Sequence, residues 1–336
     1  MPKSSIPLRV LFFLVFLVPT QVLFAQSTSS TVFRFLDVPT NARTAALSAN
    51  HVSLFDADFS LFQSNPAYLT KASSGQVAAS YVNHLADANF GFVTGAWHIN
   101  NIGTLGLGIR YAGYGEFERI DENGVSNGTF SPGDIALTAG IGRELAPKLR
   151  GGASIDAIYS AIDSFTSTAV AVSAGFLYED IEKHLSIGFA VRNLGSQLST
   201  FNGEQEPLPL DVAVGVTHKP QNFPIRGTIL LRRLHDWDLR VNGENTRPDF
   251  ADNFFRHLVL GGEILFTENF NFRVGYNQLQ HEQLQTRENF DFAGVGFGVG
   301  LKVNKFFIDI SRSSFSELGG IFQISIKTRI KKSAIQ

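Results

Sequence analysis

Hydrophobic positions alternate with polar or very small ones over most of this chain. Val295 to Val303 shows the pattern most clearly, because large apolar residues fill the odd positions and Gly or Lys fills the even ones. Phe322 to Lys327 alternates in the same way. Successive side chains of a β-strand point to opposite faces, so each segment predicts a strand with one apolar face and one polar or small face.

Segments of this kind follow one another from residue 75 to residue 330. The predicted strands are 75–84, 89–99, 102–111, 133–143, 149–159, 167–178, 183–193, 208–219, 224–233, 255–266, 269–280, 292–303, 305–311 and 320–330. Strands with an apolar outer face and a polar lumen face, about 14 in number and therefore even, are typical of bacterial outer-membrane barrels. The pattern predicts an all-β fold, a transmembrane antiparallel β-barrel over 75–330.

The connectors between these strands alternate in length. Asn100-Asn101 and Asn304 are brief, whereas 112–132 and 234–254 are long and polar; the first outer connector, near 85–88, is a short exception. Short periplasmic turns and long outer loops are typical of an outer-membrane barrel. A soluble β-sandwich, the alternative, gives no reason for this sorting. The sorting predicts that both termini lie in the periplasm.

The two ends of the chain do not alternate. Residues 1–25 predict a cleaved signal peptide, with a basic start, an apolar stretch and a cleavage site after Ala25. The alternative is a membrane anchor, but the apolar stretch is short for one and contains Pro19. Residues 26–74 predict a hatch or plug segment in or under the barrel, and 331–336 a periplasmic tail. The predicted location is the outer membrane of a Gram-negative bacterium.

The strand parity also predicts which polar side chains face the lumen. The predicted lumen-facing residues are Arg110, Arg192, Arg226, Arg232, Arg273, Asn271 and Asn277. Other inward positions are small, such as Gly106, Gly108, Gly188 and Ala190, and they let a plug or a neighbouring wall approach closely. The inward arginines are candidates for contacts with Asp37, Asp56 and Asp58. The alternative is that each is only a solvated lumen charge.

Composition narrows the choice of function. The chain has 31 Phe, 31 Gly and no Cys, and its formal net charge of −2 gives no basis for binding nucleic acid. His51 and Ser53 lie near Asp56 and Asp58 without a nucleophile elbow, and no group has metal-site spacing. Asp121 to Gly124, in an acidic stretch, predicts a turn. We therefore expect a non-enzymatic protein without a cofactor or metal.

Aromatic residues fall near the predicted strand ends. They are Trp97, Trp237, Tyr111, Tyr114, Tyr159, Tyr178 and Tyr276. Aromatic girdles at the two membrane interfaces are typical of barrels, and ordinary core packing is the alternative interpretation.

The N-terminal motifs resemble those of a known group. Phe35 to Leu47, Phe55 to Asp58 and Asn65-Pro66-Ala67 resemble the hatch of the long-chain fatty-acid transporter (FadL-like) superfamily. The chain resembles most closely the PorQ family of the Bacteroidetes type IX secretion system. The further segments that carry this closer resemblance are Tyr114 to Phe117 with Asp121 to Gly124 and Phe130, Ile158 to Ser160, Glu206 to Leu210 and Leu234 to Leu239. Ser48-Ala49 departs from it, because that family usually has Gly-Gly there. The resemblance marks these hatch-motif residues as a site: Asn41, Ala42, Arg43, Asp56, Asp58, Asn65 and Pro66.

The resemblance implies a non-enzymatic outer-membrane subunit that anchors a cell-surface attachment complex, which processes cargo proteins and attaches them to lipopolysaccharide. It implies as partners the outer-membrane lipid, a PorZ-like surface protein, a PorU-like sortase and a PorV-like barrel. The alternative function is transport of long-chain fatty acids or other hydrophobic small molecules. An outer-membrane enzyme is the least supported class.

Overall fold

The strands close into a barrel. The structure, a computed structural model, describes residues 31–56, 58–84, 87–241, 243–284, 292–314 and 320–330; the predicted signal peptide and C-terminal tail lie outside them. The strands are β1 (Gln76–Asn83), β2 (Asn89–Ile99), β3 (Gly103–Gly113), β4 (Phe117–Ile120), β5 (Ser126–Phe130), β6 (Gly133–Ala146), β7 (Leu149–Ile162), β8 (Phe165–Asp180), β9 (Leu185–Ser199), β10 (Asp211–His218), β11 (Ile225–Leu231), β12 (Leu258–Leu265), β13 (Phe270–Asn277), β14 (Val295–Val303), β15 (Phe306–Ser314) and β16 (Gly320–Arg329).

Fourteen of these strands form the closed sheet, and each is antiparallel to its neighbours. The predicted fold class is therefore confirmed. The ring closes where β1 pairs with β16, from Gln76 opposite Arg329 to Asn83 opposite Phe322. The remaining two strands, β4 and β5, form a separate hairpin inside the connector 114–132, where no strand was predicted. Asp121 to Gly124 makes the turn of this hairpin, as predicted, and the φ of Gly124 is +80°.

Burial alternates along most strands of the barrel, as the sequence predicts. In β7, Ser154, Asp156 and Ile158 are buried, while Ile155 and Tyr159, which point to the other face, are exposed. Exposed apolar residues of this kind recur around the outside of the sheet, among them Val93, Leu107, Leu137, Phe189, Ile229, Leu260, Val274, Phe297 and Ile324. An apolar exterior around a polar interior is the arrangement of a barrel that lies in lipid.

The connectors sort to the two ends of the barrel. Residues 100–102, 147–148, 181–184, 219–224, 266–269 and 304–305 lie at what we call the short-turn end. The long-loop end carries the longer connectors, whose described residues are 114–132, 200–210, 232–241, 243–257, 278–284 and 292–294. Two connectors with described residues are shorter there. One contains Asp87 and Ala88, and the other is 163–164, because β7 and β8 run on to Ile162 and from Phe165.

At the long-loop end, helices occupy parts of two segments for which the sequence predicts strands. Besides α1 (Ala42–Ala46), the structure has α2 (Phe250–His257) and α3 (Gln278–Leu284). The strand predicted over 255–266 therefore begins only at Leu258, because α2 is capped by the Asp249 side chain and ends at His257. The strand predicted over 269–280 ends at Asn277, where α3 begins. None of the described helices is long and apolar enough to cross a membrane.

Three of the predicted interfacial aromatics lie on the outer surface. Trp97 is outward near the short-turn end, and Tyr111 and Tyr159 are outward near the long-loop end. Tyr114 differs, because its hydroxyl donates to the buried Asp134 of the inner face. Trp237 lies in the long connector between β11 and β12.

Candidate functional site: the segment inside the barrel

The residues that precede β1 lie against the inner face of the barrel. We call residues 31–74 the N-terminal segment. Every described residue over 40–55 and 58–69 is buried, except that Asp56, between these ranges, is exposed. Short 3-10 turns (Arg34–Asp37, Phe59–Leu61, Pro66–Tyr68 and Lys71–Ser73) and α1 are its only regular structure.

The hatch-motif asparagines shape this segment. The Asn41 side chain caps α1 by accepting from the Thr44 backbone at 2.9 Å, and its amide donates to Ser60 Oγ. Asn65 accepts from the Ala67 backbone and donates to the carbonyls of Val52 and Phe176. Asn65 thus starts the turn that begins with Pro66 and also ties the segment to β8.

The departure at Ser48 lies in the turn that follows α1. Ser48 has a φ of +62°, a left-handed conformation that glycine adopts without strain. Ala42, at the start of the same helix, donates its backbone N–H to Ser325 Oγ of β16 at 2.7 Å. Asn277 of β13 donates its side-chain amide to the Ser48 carbonyl at 3.2 Å.

Glycines of the barrel wall make room for the segment. A Cβ atom built on Gly296 would lie 2.6 Å from the Ala45 carbonyl oxygen, and one on Gly188 would overlap the Val52 carbonyl. The backbone of the segment therefore touches the wall directly. We call this set the glycine belt, and it spans nine strands through Gly106, Gly140, Gly142, Gly152, Gly175, Gly188, Gly215, Gly261, Gly275 and Gly296.

An ion-pair cluster joins the segment to the wall near the short-turn end. Glu263, whose side chain is 2% exposed, accepts from Arg43 at 2.8 Å, from Arg226 at 3.0 Å and from Arg273 at 3.0 Å. We call these four residues the Glu263 cluster. Asp56 pairs with two of its arginines, Arg43 and Arg226.

A second cluster lies near the long-loop end. Asp37 of the segment pairs with Arg192, Arg232 and Arg233, at 3.2, 2.8 and 3.5 Å. Asp211 of β10 pairs with Arg192 and Arg232 in turn. We call these five residues the Asp37 cluster.

Arg110 makes a third link, because it donates to the Leu36 carbonyl of the segment and pairs with Asp156 of β7. The buried groups therefore compensate each other's charge.

Burial and charge act in opposite directions on the carboxylates of the segment. Burial alone would raise the pKa of Asp37, but the charges of Arg232, Arg192 and Arg233 outweigh it and hold the pKa well below its usual range. Lys327 and Arg43 do the same for the pKa of Asp58. Burial lowers the pKa of His51 to about 4, so this imidazole is neutral and its Nε2 donates to the Leu47 carbonyl.

All seven predicted lumen-facing residues lie on the inner side of the barrel. Arg110, Arg192, Arg226, Arg232 and Arg273 join the ion pairs above, and Asn277 bonds the segment. Asn271 lines an inner cavity instead. Of the hatch-motif residues, Arg43, Asp56 and Asp58 are in ion pairs, and Asn41, Ala42, Asn65 and Pro66 set the path of the backbone.

The carboxylates of the wall were not predicted. Glu263 lies directly opposite Arg226 on β11 and Arg273 on β13, and Asp211 lies opposite Arg192. The strand parity that placed the arginines inward also places these acids on the inner face. Their contacts with the arginines can be predicted only once the pairing register of each hairpin is known.

Two cavities flank the buried part of the segment. One of about 610 Å³, at the short-turn end, is lined by charged residues that include Asp58, Lys219 and Lys327. The other, of about 290 Å³, lies nearer the long-loop end. It is lined by Arg232 and Arg233 together with apolar residues, among them Val82, Leu279 and Ile321.

The alternative chemistries have no geometry to support them. Ser53 Oγ bonds the hydroxyl of Thr217, and His51 bonds a backbone carbonyl, so the two do not form a nucleophile–base pair. Among the described residues, no three or more His, Asp or Glu side chains are grouped to hold a metal ion.

Solved structures with the same fold are transporter and channel barrels. A deltaS2S3 mutant of the TodX monoaromatic hydrocarbon channel matches with a TM-score of 0.55 at 15% identity, over 87% of this chain and 99% of that one. The Pseudomonas putida toluene transporter TodX matches at 0.52 and 15%, over 89% and 98%. A Pseudomonas aeruginosa FadL homologue matches at 0.52 and 12%, over 88% and 99%. No family model and no curated protein matches the chain.

Proposed function

We propose that this chain is a closed outer-membrane barrel that anchors the surface attachment complex of a type IX secretion system. The observation that supports it is the N-terminal segment, which is buried against nine strands and ion-paired to the wall. A barrel filled in this way serves as a membrane platform rather than as an open pore. The assignment to secretion comes from the resemblance of the ordered motifs between Phe35 and Leu239.

The long-loop end supplies surfaces for such a complex. The β4–β5 hairpin is almost wholly exposed and pairs only with itself as a sheet. In this proposal its partners are a PorZ-like surface protein, a PorU-like sortase, a PorV-like barrel and lipopolysaccharide. The barrel has no catalytic role in it, in agreement with the transporter and channel barrels that it resembles.

Deletion of the gene in its host tests this function. We expect cargo proteins to be left unprocessed or released into the medium, and a plasmid copy of the gene to restore their surface attachment. Co-purification of the tagged barrel from solubilised membranes should identify the attached proteins. Normal cargo attachment in the deletion strain contradicts the proposal.

A second candidate function is transport of hydrophobic small molecules. The structural comparisons favour it over the first, because the matching barrels include a toluene transporter and a monoaromatic hydrocarbon channel. The cavity of about 290 Å³ is a suitable place for such a ligand. Its apolar residues fit a hydrocarbon chain, and Arg232 and Arg233 at its wall fit a carboxylate.

The two functions are separated in one deletion strain. Loss of labelled fatty-acid or toluene uptake with normal cargo attachment supports transport and rejects anchoring. Loss of attachment with normal uptake supports anchoring. Substitution Arg233→Ala, at the cavity-lining arginine that is 32% exposed, should reduce uptake if the cavity is the transport site, whereas Arg119→Ala in the exposed hairpin should not.

A further inference from the structure

Helix α2 has its polar side turned toward the protein and its apolar side turned outward. Asn253, Arg256 and His257 are buried, whereas Phe250 is 77% exposed and Phe255 is 52% exposed. Phe254 is also exposed. A helix on the surface of a water-soluble domain has the opposite arrangement, with its apolar stripe facing the core.

Two residues of the buried polar side, Asn253 and Arg256, bond the outer connectors. Asn253 donates to the Trp237 carbonyl and accepts from the Leu239 backbone. Arg256 donates to the Leu239 carbonyl and forms ion pairs with Glu244 and with Glu282 of α3. These bonds fix the rotation of α2 about its axis. They therefore hold the phenylalanines on the outer side of the helix.

Trp237 extends the apolar side of the helix. Its ring stacks nearly parallel on Phe250, with 6.0 Å between ring centroids and an interplanar angle of 4°. It also lies 4.6 Å from the His257 ring. We call Trp237, Phe250, Phe254 and Phe255 the aromatic face.

This face is continuous with the lipid-facing surface of the barrel. Helix α2 ends at His257 and β12 begins at Leu258, with no residue between them. On β12 and the adjacent β11, Leu260 and Ile229 are exposed apolar residues of the outer surface. The helix therefore has the same arrangement as the strands, with polar side chains on the inner side and apolar side chains on the outer side.

We propose that the aromatic face lies in the outer leaflet of the membrane, so that α2 is an interfacial helix beside the barrel rather than part of a water-exposed loop. Trp and Phe are suited to the boundary between headgroups and acyl chains. The apolar arc also contains Ala251 and carries no charge, which suits acyl chains better than a polar protein surface. The partner of this surface is thus the hydrocarbon of membrane lipid.

The two tryptophans of the chain make a direct test possible. The full-length Trp97→Phe variant, purified from membranes and reconstituted in phosphatidylcholine vesicles, reports on Trp237 alone. Trp237→Phe is the matched control, because its remaining Trp97 lies on the outward face of β2. We expect lipids brominated on the acyl chains to quench both variants comparably, and aqueous iodide to quench neither strongly.

A tryptophan at a second position of the aromatic face shows whether the quenching of Trp237 represents the whole face. Phe255→Trp in a chain that also carries Trp97→Phe and Trp237→Phe should again be quenched by brominated lipid. If Trp237 and this new reporter are quenched by iodide and not by bromine, the aromatic face lies in water and the proposal is wrong. That result would instead mark the face as a protein-binding surface.

Discussion

Replacement of Glu263 by Gln tests whether buried charge holds the N-terminal segment in the barrel. The carboxylate accepts from three guanidiniums whose side chains are at most 10% exposed. Gln keeps the size of the side chain and removes its charge. Each arginine retains at least one acidic neighbour: Asp56 pairs with Arg43 and Arg226, Asp58 also pairs with Arg43, and Asp309 pairs with Arg273. We therefore expect a large loss without complete unfolding.

Removing one partner from a buried ion pair typically costs about 3–5 kcal/mol, because the other charge stays buried without compensation. That is a large part of the roughly 5–15 kcal/mol by which proteins are stable. We expect the free energy of unfolding to fall by about 3 kcal/mol or more for Glu263→Gln. The measurement is a urea titration of the full-length protein in lipid vesicles.

Asp163→Asn is the matched control, since it also neutralises one carboxylate in an ion pair. Its partner Arg119 is 46% exposed on the hairpin, so the expected loss is below about 1 kcal/mol. A double-mutant cycle of Arg43→Met with Glu263→Gln should give a coupling energy of about 0.5–3 kcal/mol, which assigns part of the loss to the contact between segment and wall. Equal losses for Glu263→Gln and Asp163→Asn would refute the reasoning.

Three further predictions follow from the segment and its surroundings. Gly188→Ala should lower the urea midpoint because its Cβ would overlap the Val52 carbonyl, whereas Gly227→Ala, with no atom within 4 Å of the new Cβ, should change it little. Stability should decrease as the pH falls from about 6.5 toward 4, since the unfolded chain protonates His51 before the folded one does; His51→Asn should show a shallower decrease in parallel titrations. Replacing 117–130 by a short turn should leave heat-modifiable mobility on gels unchanged, because the hairpin is outside the closed sheet; loss of the folded band would contradict this.

Strand parity predicted most of the barrel strands and two arginines of each ion-pair cluster. It placed Arg226 and Arg273 inward because they alternate with apolar residues that form the outer face. It did not bring Glu263 to them, since that contact depends on the register of two hairpins, which turn geometry sets. The signal for α2 was weaker, because Phe254, Phe255 and Leu258 also fit a strand and only the capping Asp249 marks a helix start.

The two ends of the described chain lie at opposite ends of the barrel, whereas the predicted periplasmic position of both termini concerns residues outside the described part. The Val32 backbone donates to the Pro207 carbonyl in the long-loop connector 200–210, whereas Ile330 bonds Gly75 at the short-turn end. Connector lengths do not predict where the first described residues lie, because the N-terminal segment has no strand periodicity and its path does not affect the lengths of the connectors. Residues 1–30 lie outside the described part of the chain.

The seam between β1 and β16 gives the N-terminal segment a fixed place in the order of assembly. The segment runs directly into β1, and Ala42 bonds Ser325, which lies 283 residues further along the chain. Contacts of such long separation form late, after the local hairpins. Because the segment touches the wall directly along the glycine belt, we expect it to lie in the open sheet before β1 and β16 pair. We therefore expect a defect in the segment to lower the amount of assembled barrel before it alters what the barrel does.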